Sequence, residues 1–442
     1  MGTMMAKQNI TGWWMVACLF LAYAFSWLDR LIITMLVTPI KQDLHLSDLQ
    51  MGAMLNLSFA LGFSIFCVPM GWAADRFDRR KVLVLGISVW SAATLGAGFA
   101  HSFPQLLICR ALVGIGEASL LPAAYSLIAD TFPPQRVTFA TSVFQTASKF
   151  GSAVTFAVGA LVITLAKHLE QTTMAVSLGA GYWQITLALV GLPGLVVALS
   201  MLTFSEPRRR ESEKTAPPRK GELRAFLAAN ARLSTAVVLA ATLIVMVAYS
   251  YLSWMPTYME RRFSWGPERY GPALGALNVF GAIAVVFSGR IVDWLFVGGM
   301  RDAHLRFTSY SIIFLIPVVF LAFYFNNPYF FLLSYAVSQI VTIPFVVFCA
   351  TIVALVAPAT IRAQLIGLLM MIYTAFGHGV GASLVGVISD KIFRNEAMLG
   401  MSLAIVIITS LILAAIVLRL ALPELRRAVA TRGDPNSPDS HS

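Results

Sequence analysis

Gly71-Trp72-Ala73-Ala74-Asp75-Arg76-Phe77-Asp78-Arg79-Arg80-Lys81 closes one long apolar run, 50–73, and opens the next, 81–100. It brings the first run to a glycine and a carboxylate, then sets Arg76, Arg79, Arg80 and Lys81 in the gap. The same register returns far down the chain. There the apolar run 270–294 ends in Gly289-Arg290-Ile291-Val292-Asp293. A second echo joins Pro133-Pro134-Gln135-Arg136, ahead of the run 137–165, to Pro358-Ala359-Thr360-Ile361-Arg362, ahead of 362–388. Matched Gly-x-x-x-Asp ends and matched loop entries argue for a duplicated unit.

Outward from this stretch, twelve apolar runs are read: 13–38, 50–73, 81–100, 104–130, 137–165, 180–204, 232–258, 270–294, 307–325, 328–357, 362–388 and 398–421. Each approaches the roughly 20 residues that cross a hydrocarbon core about 30 Å thick. The 442-residue chain is 58% hydrophobic and 12% charged, against about 25% charged in soluble domains. In lipid the backbone must satisfy its own hydrogen bonds, so the runs are helices and not open strands. Pro69, Pro122, Pro193, Pro256 and Pro344 fall inside them and are expected to kink them.

The expected fold is an all-α polytopic membrane protein, twelve transmembrane helices in two six-helix bundles. The bundles are predicted at 1–205 and 231–425, joined by a cytoplasmic linker at 206–230 and followed by a cytoplasmic tail at 426–442. The linker carries Arg208, Arg209, Arg210, Lys214, Pro217, Pro218, Arg219 and Lys220, a solvated composition. Parallel six-helix repeats around a midplane site are a transporter architecture.

The net charge of +11 does not signal a nucleic-acid partner. Of 32 Lys and Arg, about 22 fall on the side of the N-terminus and about seven on the other, which places both termini in the cytoplasm. No basic domain remains to bind nucleic acid. Cys18, Cys67, Cys109 and Cys349 all lie in apolar runs, spaced as neither a disulfide framework nor a zinc site. The N-terminus lacks a short apolar region followed by a small-residue cleavage site, so no signal peptide is read. A multi-pass plasma membrane protein, of the bacterial inner-membrane kind, is expected. No phosphate-binding loop, zinc-helix or nucleophile-elbow motif occurs, so no cofactor is expected and an enzyme, such as a membrane acyltransferase, is only a remote reading.

Asp29, Arg30, Arg110, Glu117 and Lys149 lie at membrane depth, all in the first half of the chain. Each costs roughly 2.5–3.5 kcal/mol at a helix centre. Together they approach a protein's whole net stability of about 5–15 kcal/mol. They persist by facing one another or a wet cavity. Arg110 and Glu117 are seven residues apart, two turns along nearly one helix face. Asp29 and Arg30 are adjacent, so their side chains diverge by about 100° and serve different partners. A carboxyl that alternates between a dry setting and a neighbouring cation can load and release a proton. Fixed ion pairs that staple helices are the plainer alternative for each of these groups.

The quoted motifs resemble those of the major facilitator superfamily. Gly71 to Lys81 is similar to its signature between the second and third helices. Arg110-Ala-Leu-Val-Gly114-Ile-Gly116 resembles its fourth-helix motif, and Ser205-Glu206-Pro207-Arg208 the motif that closes helix six. Trp27-Leu28-Asp29-Arg30, Trp90-Ser91-Ala92-Ala93-Thr94 and the stretch from Arg110 to Asp130 resemble the Spinster-like subfamily. Members of that subfamily move lysophospholipids and sphingosine phosphate in animals. The resemblance implies that Asp29, Arg30 and Glu117 belong to the coupling or substrate site, and that the protein is a monomer. Lys149 departs from the pattern, which has a small residue or proline there, and adds an anion contact.

The sequence therefore predicts a secondary transporter working by alternating access. Asp29 and Glu117 are its candidate proton carriers. Arg30, Arg110 and Lys149 are candidates to hold an anionic substrate, with Trp254 and Tyr373 lining the cavity. Asp75, Arg76, Arg79 and Asp293 are candidate gate residues at the inner helix ends. Partners are protons, the lipid bilayer and a small molecule, an organic anion or an anionic amphipath. Proton-coupled symport of a small organic anion is favoured. Transport of a lysolipid-like amphipath and proton antiport exporting small molecules are the alternatives.

Overall fold

The computed structural model describes residues 2–172, 179–207, 209, 221–325, 327–358 and 360–432. Among them there are helices and no strands. Eleven helical stretches are long and apolar enough to cross a membrane. The run expected at 81–100 is also a helix, Arg79–Ala97. Gly86, Ser88, Ser91, Thr94 and Gly96 dilute its apolar character, yet it buries Leu83, Ile87 and Trp90.

The chain forms two compact units, the first made of Met1–Arg210, Leu252–Val279 and Ser389–Ala397. The first unit's helices are α1 (Gly2–Ile32), α2 (Val37–Asp43), α3 (Asp48–Gly52), α4 (Ser58–Arg76), α5 (Arg79–Ala97), α6 (Phe103–Glu117), α7 (Leu120–Thr131), α8 (Pro134–Glu170) and α9 (Tyr182–Ser200). Local chemistry sets the ends that matter. Pro122 has no N–H to give the Ala118 carbonyl, so the fourth span breaks between Glu117 and Leu120. Asp78 caps α5, accepting from the backbone N–H groups of Arg80 and Lys81 at 3.0 and 3.3 Å. Partial burial pushes the Asp78 carboxyl up, but the Arg80 guanidinium and the two N–H groups outweigh it and hold it below the usual carboxylate range.

Glycines set the helix spacing around α6. A Cβ on Gly116 would stand 2.5 Å from the Gly86 carbonyl oxygen and 2.8 Å from the Trp90 nitrogen on α5. A Cβ on Gly114 would meet the Phe59 carbonyl oxygen and lie 3.0 Å from the Phe63 nitrogen on α4. The motif from Arg110 to Gly116 thus sets α6 against two neighbours at once. Phe59, Ile87, Trp90, Leu127 and Phe144 form the apolar core beneath.

The second unit, Glu211–Tyr251, Phe280–Ile388 and Met398–Ser442, carries α10 (Glu222–Ala229), α11 (Ala231–Phe263), α12 (Pro267–Val297), α13 (Ala303–Tyr324), α14 (Pro328–Val356), α15 (Arg362–Ile372), α16 (Gly379–Val387) and α17 (Leu399–Arg432). The C-terminal end of α11, from Leu252, and the start of α12, to Val279, belong to the first unit. Between α15 and α16 the helix widens into a π-helical turn, Tyr373–His378, and the buried His378 ring stacks on Tyr249 at 3.7 Å.

The stretch read as a solvated linker is not uniform. Arg208, Arg210, Lys214, Pro217, Pro218, Arg219 and Lys220 lie outside the described residues, as does the tail from 433 onward. Residues 222–229 instead form α10, because Leu223, Phe226 and Leu227 recur at helical spacing and pack on Ala357, Ile361 and Leu365. Thr360 fastens this contact by donating to Glu222 at 2.5 Å.

Candidate functional site

The first unit brings four of the five membrane-depth charges together. Asp29 is buried on α1, and both its carboxylate oxygens accept from the Thr94 hydroxyl of α5, at 2.6 and 2.7 Å. Arg30, one residue on, turns to a different partner, the ion pair with Glu117. Its guanidinium also lies 4.4 Å from the Phe59 ring centre and 5.0 Å from that of Trp27. The divergence expected of adjacent helical residues is what the two partners display.

Glu117 is the last residue of α6, where the helix dipole is negative and a carboxylate needs a cation nearby. Arg30 supplies it. The second Glu117 oxygen, Oε1, has no hydrogen-bond partner among the described residues. Arg110 is 3% exposed and makes one hydrogen bond among them, from Nη2 to the Leu55 carbonyl at 3.3 Å. Leu55 sits in a widened π-helical turn, Ala53–Leu57, of the kind that often marks functional positions. The Nε of Arg110 is buried and finds no partner among the described residues. Asp29 and Arg110 face one enclosed cavity of about 10 Å³ with Ile33, Thr94, Cys109 and Leu187, roughly the space of one water.

Lys149 stands apart from this cluster. On α8, a Cβ at Gly151 would press on Ala24 and one at Gly159 on Ile32 and Met35, so α1 and α8 run parallel in fixed register. Lys149 therefore lies level with Ala22, seven residues and roughly 10 Å along the axis from Asp29. It is half-buried, with no hydrogen bond or ion pair among the described residues.

The remaining predicted residues separate. Trp254 is buried in the first unit at 0% exposure, while Tyr373 is half-buried in the widened turn of the second. Asp75 and Asp293 are exposed, each without a hydrogen bond or ion pair among the described residues, and Arg76 lies over the Trp72 ring at 4.6 Å. Arg79 differs from them. It is 1% exposed and gripped by Asp130, by Glu206 at 2.6 Å, by the Ser126 hydroxyl at 2.8 Å and by the Pro207 carbonyl at 3.1 Å.

Sequence reasoning missed a second ionic centre. Asp48, fully buried, accepts from both Nη atoms of Arg261 at 3.0 Å, from Lys41 at 2.5 Å and from the Ser389 hydroxyl at 3.0 Å. Glu396 lies 2.8 Å from Lys41, and Asp390 accepts from the Leu49 N–H at 2.6 Å. The Ser47–Gln50 capping box starts α3 and fixes Asp48 at its positive end. A signal was available: Lys41 and Arg261 are two of the few cations assigned to the outer side.

Apolar helices long enough to cross a membrane, with buried and paired charges among them, define a multi-pass membrane transporter. Residues 19–382 match the Major Facilitator Superfamily, and the chain belongs to that family. It is 29% identical over 428 residues, 94% of both chains, to an MFS-type efflux pump of Mycolicibacterium smegmatis. It is 28% identical to a probable L-galactonate transporter of Escherichia coli, over 65% of this chain and 63% of that one. It is also 30% identical to protein spinster homolog 1 of Rattus norvegicus, over 53% and 43%. A solved bacterial homolog of the human lysosomal transporter Spinster shares the fold with a TM-score of 0.78, at 21% identity over 95% of this chain and 97% of that one.

Proposed function

We propose that the protein couples proton movement to the symport of a small organic anion across the plasma membrane, with both termini in the cytoplasm. Arg110 carries this reading: a buried guanidinium that shares a cavity with Asp29, makes one long hydrogen bond and keeps a bare Nε has donors left to offer an anion. Lys149, without a pair among the described residues, extends the positive path along α8. Arg30, Arg110 and Lys149 against Asp29 and Glu117 leave one cation in excess, which suits a monovalent carboxylate. Support also comes from a relative named as a probable transporter of L-galactonate, which carries a single carboxylate.

In this mechanism Glu117 and Asp29 take the proton. Protonated Glu117 releases Arg30, which is then free to join Arg110 on the substrate anion. The Asp48 centre acts as the outer gate. Asp75, Arg76 and Asp293, with the clamped Arg79, act at the inner helix ends. Trp254 and Tyr373 shape the path without contributing charge.

Proton antiport exporting a small molecule is the second reading, favoured by the full-length similarity to an efflux pump. A pH-jump in proteoliposomes holding an internal pH dye separates the two. Galactonate is expected to draw protons inward with itself, and Glu117→Gln to abolish that flux. Substrate moving against the protons would establish antiport, and substrate movement without protons would leave Asp29 and Glu117 as structural partners.

A further inference from the structure

The second unit carries a basic recess that transport does not use. It is an open cavity of about 630 Å³ lined by Gly298, Gly299, Asp302, Arg301, Arg306, Arg426 and Arg427. Four guanidinium groups meet one carboxylate there. Asp302 stands at the start of α13 but caps nothing. Its buried carboxylate is committed to Arg306 at 3.0 Å and Arg426 at 2.6 Å. Those pairs neutralise one charge and hold two arginines in place. Arg301 is exposed, with no hydrogen bond or ion pair among the described residues, and the Arg427 side chain, 75% exposed, lies 3.7 Å from the Glu424 carboxylate. Gly299, at φ +94°, makes the tight turn that opens the recess between α12 and α13.

The surroundings are apolar. Trp294 and Val297, just before the turn, are 74% and 86% exposed, and Leu420 on α17 is 71% exposed. These belong to helices that cross the membrane, so they meet lipid tails while the arginines sit one turn beyond, at headgroup depth. Planar guanidinium groups match phosphate oxygens in pairs.

We propose that this recess binds a phosphate ester, supplied by the headgroup of an anionic phospholipid in the leaflet that faces the C-terminus. The bound headgroup braces the α12–α13 turn against the end of α17. Such basic pockets between membrane helices suit anionic headgroups.

The test is the thermal midpoint of the purified full-length protein in phosphatidylcholine nanodiscs, with phosphatidylglycerol or inorganic phosphate added. The variant is Arg301→Gln/Arg427→Gln, which leaves the Asp302 pairs intact; Arg136→Gln, exposed in the first unit, is the charge control. Phosphatidylglycerol is expected to raise the midpoint by about 2–4 °C in the native protein and the control, and by less than half of that in the double variant. If inorganic phosphate reproduces the rise and the double variant loses it, the phosphate site stands and its source is a soluble anion. A rise retained by the double variant, a loss as large in Arg136→Gln, or no rise with either probe would overturn the proposal.

Discussion

Thr94 gives one hydroxyl to both oxygens of a carboxylate buried at membrane depth. A hydrogen bond to a charged group contributes about 1.5–3 kcal/mol. Thr94→Val keeps the volume and removes the donor, so the melting temperature is expected to fall and Thr94→Ser to restore it. An unchanged melt in Thr94→Val would mean that Asp29 draws nothing from this contact. The cluster around Asp29 was legible because hydrocarbon tolerates no idle charge, so five ionisable residues in apolar runs had to be interior. What each one touches was less legible. Thr94 is an ordinary helix residue in sequence, and Arg30 selects Glu117 across 87 positions. Asp48 was not legible at all. Read locally it is the first residue of a capped helix, and Arg261 and Ser389, 213 and 341 positions away, come to it only through the fold.

Helices were legible from apolar length, but of the five prolines within them only Pro122 marks a break. Pro69, Pro193, Pro256 and Pro344 lie inside continuous helices, and the π-helical turns at 53–57 and 373–378 contain no proline. Helix contacts depend instead on which glycines are covered, and the sequence treats all glycines alike. Gly116 has the backbone of α5 pressed against it, whereas a Cβ on Gly289, half of the repeated Gly-x-x-x-Asp signature, would meet nothing within 4 Å. Gly116→Ala is expected to overpack the α5–α6 contact and cost about 1–3 kcal/mol, read as a lower melting temperature and a poorer yield of monodisperse protein. Gly289→Ala is expected to be neutral or to stabilise by about 0.5–1 kcal/mol, since alanine relieves the entropy of a mid-helix glycine. Equal losses in the two would mean that the repeat glycine packs as tightly as the motif glycine. The helix α10 shows the opposite limit. Its basic, proline-containing flanks hid three apolar residues at helical spacing, which only the apolar patch of Ala357, Ile361 and Leu365 turns into a packed face.

At the scale of the molecule, the Asp48 centre ties segments from both halves of the sequence into one compact unit. As the proposed outer gate this tie would be made and broken in every cycle, and an ionic tie suits that better than an apolar one. Opening it rehydrates both signs of charge, and that hydration offsets most of the lost attraction. Asp48→Asn leaves Glu396, which is 61% exposed, as the carboxylate in ion-pair range of both Lys41 and Arg261 among the described residues. Removing one partner of a buried pair costs about 3–5 kcal/mol, so the melting temperature is expected to drop. A gate would also open more often. Cys109 lines the Asp29 cavity and can report this once Cys18, Cys67 and Cys349 are changed to Ser. A membrane-impermeant maleimide added from outside is then expected to label Cys109 severalfold faster in Asp48→Asn. A lower melting temperature with labelling unchanged would make Asp48 a staple of the fold and would return the outer gate to some other contact.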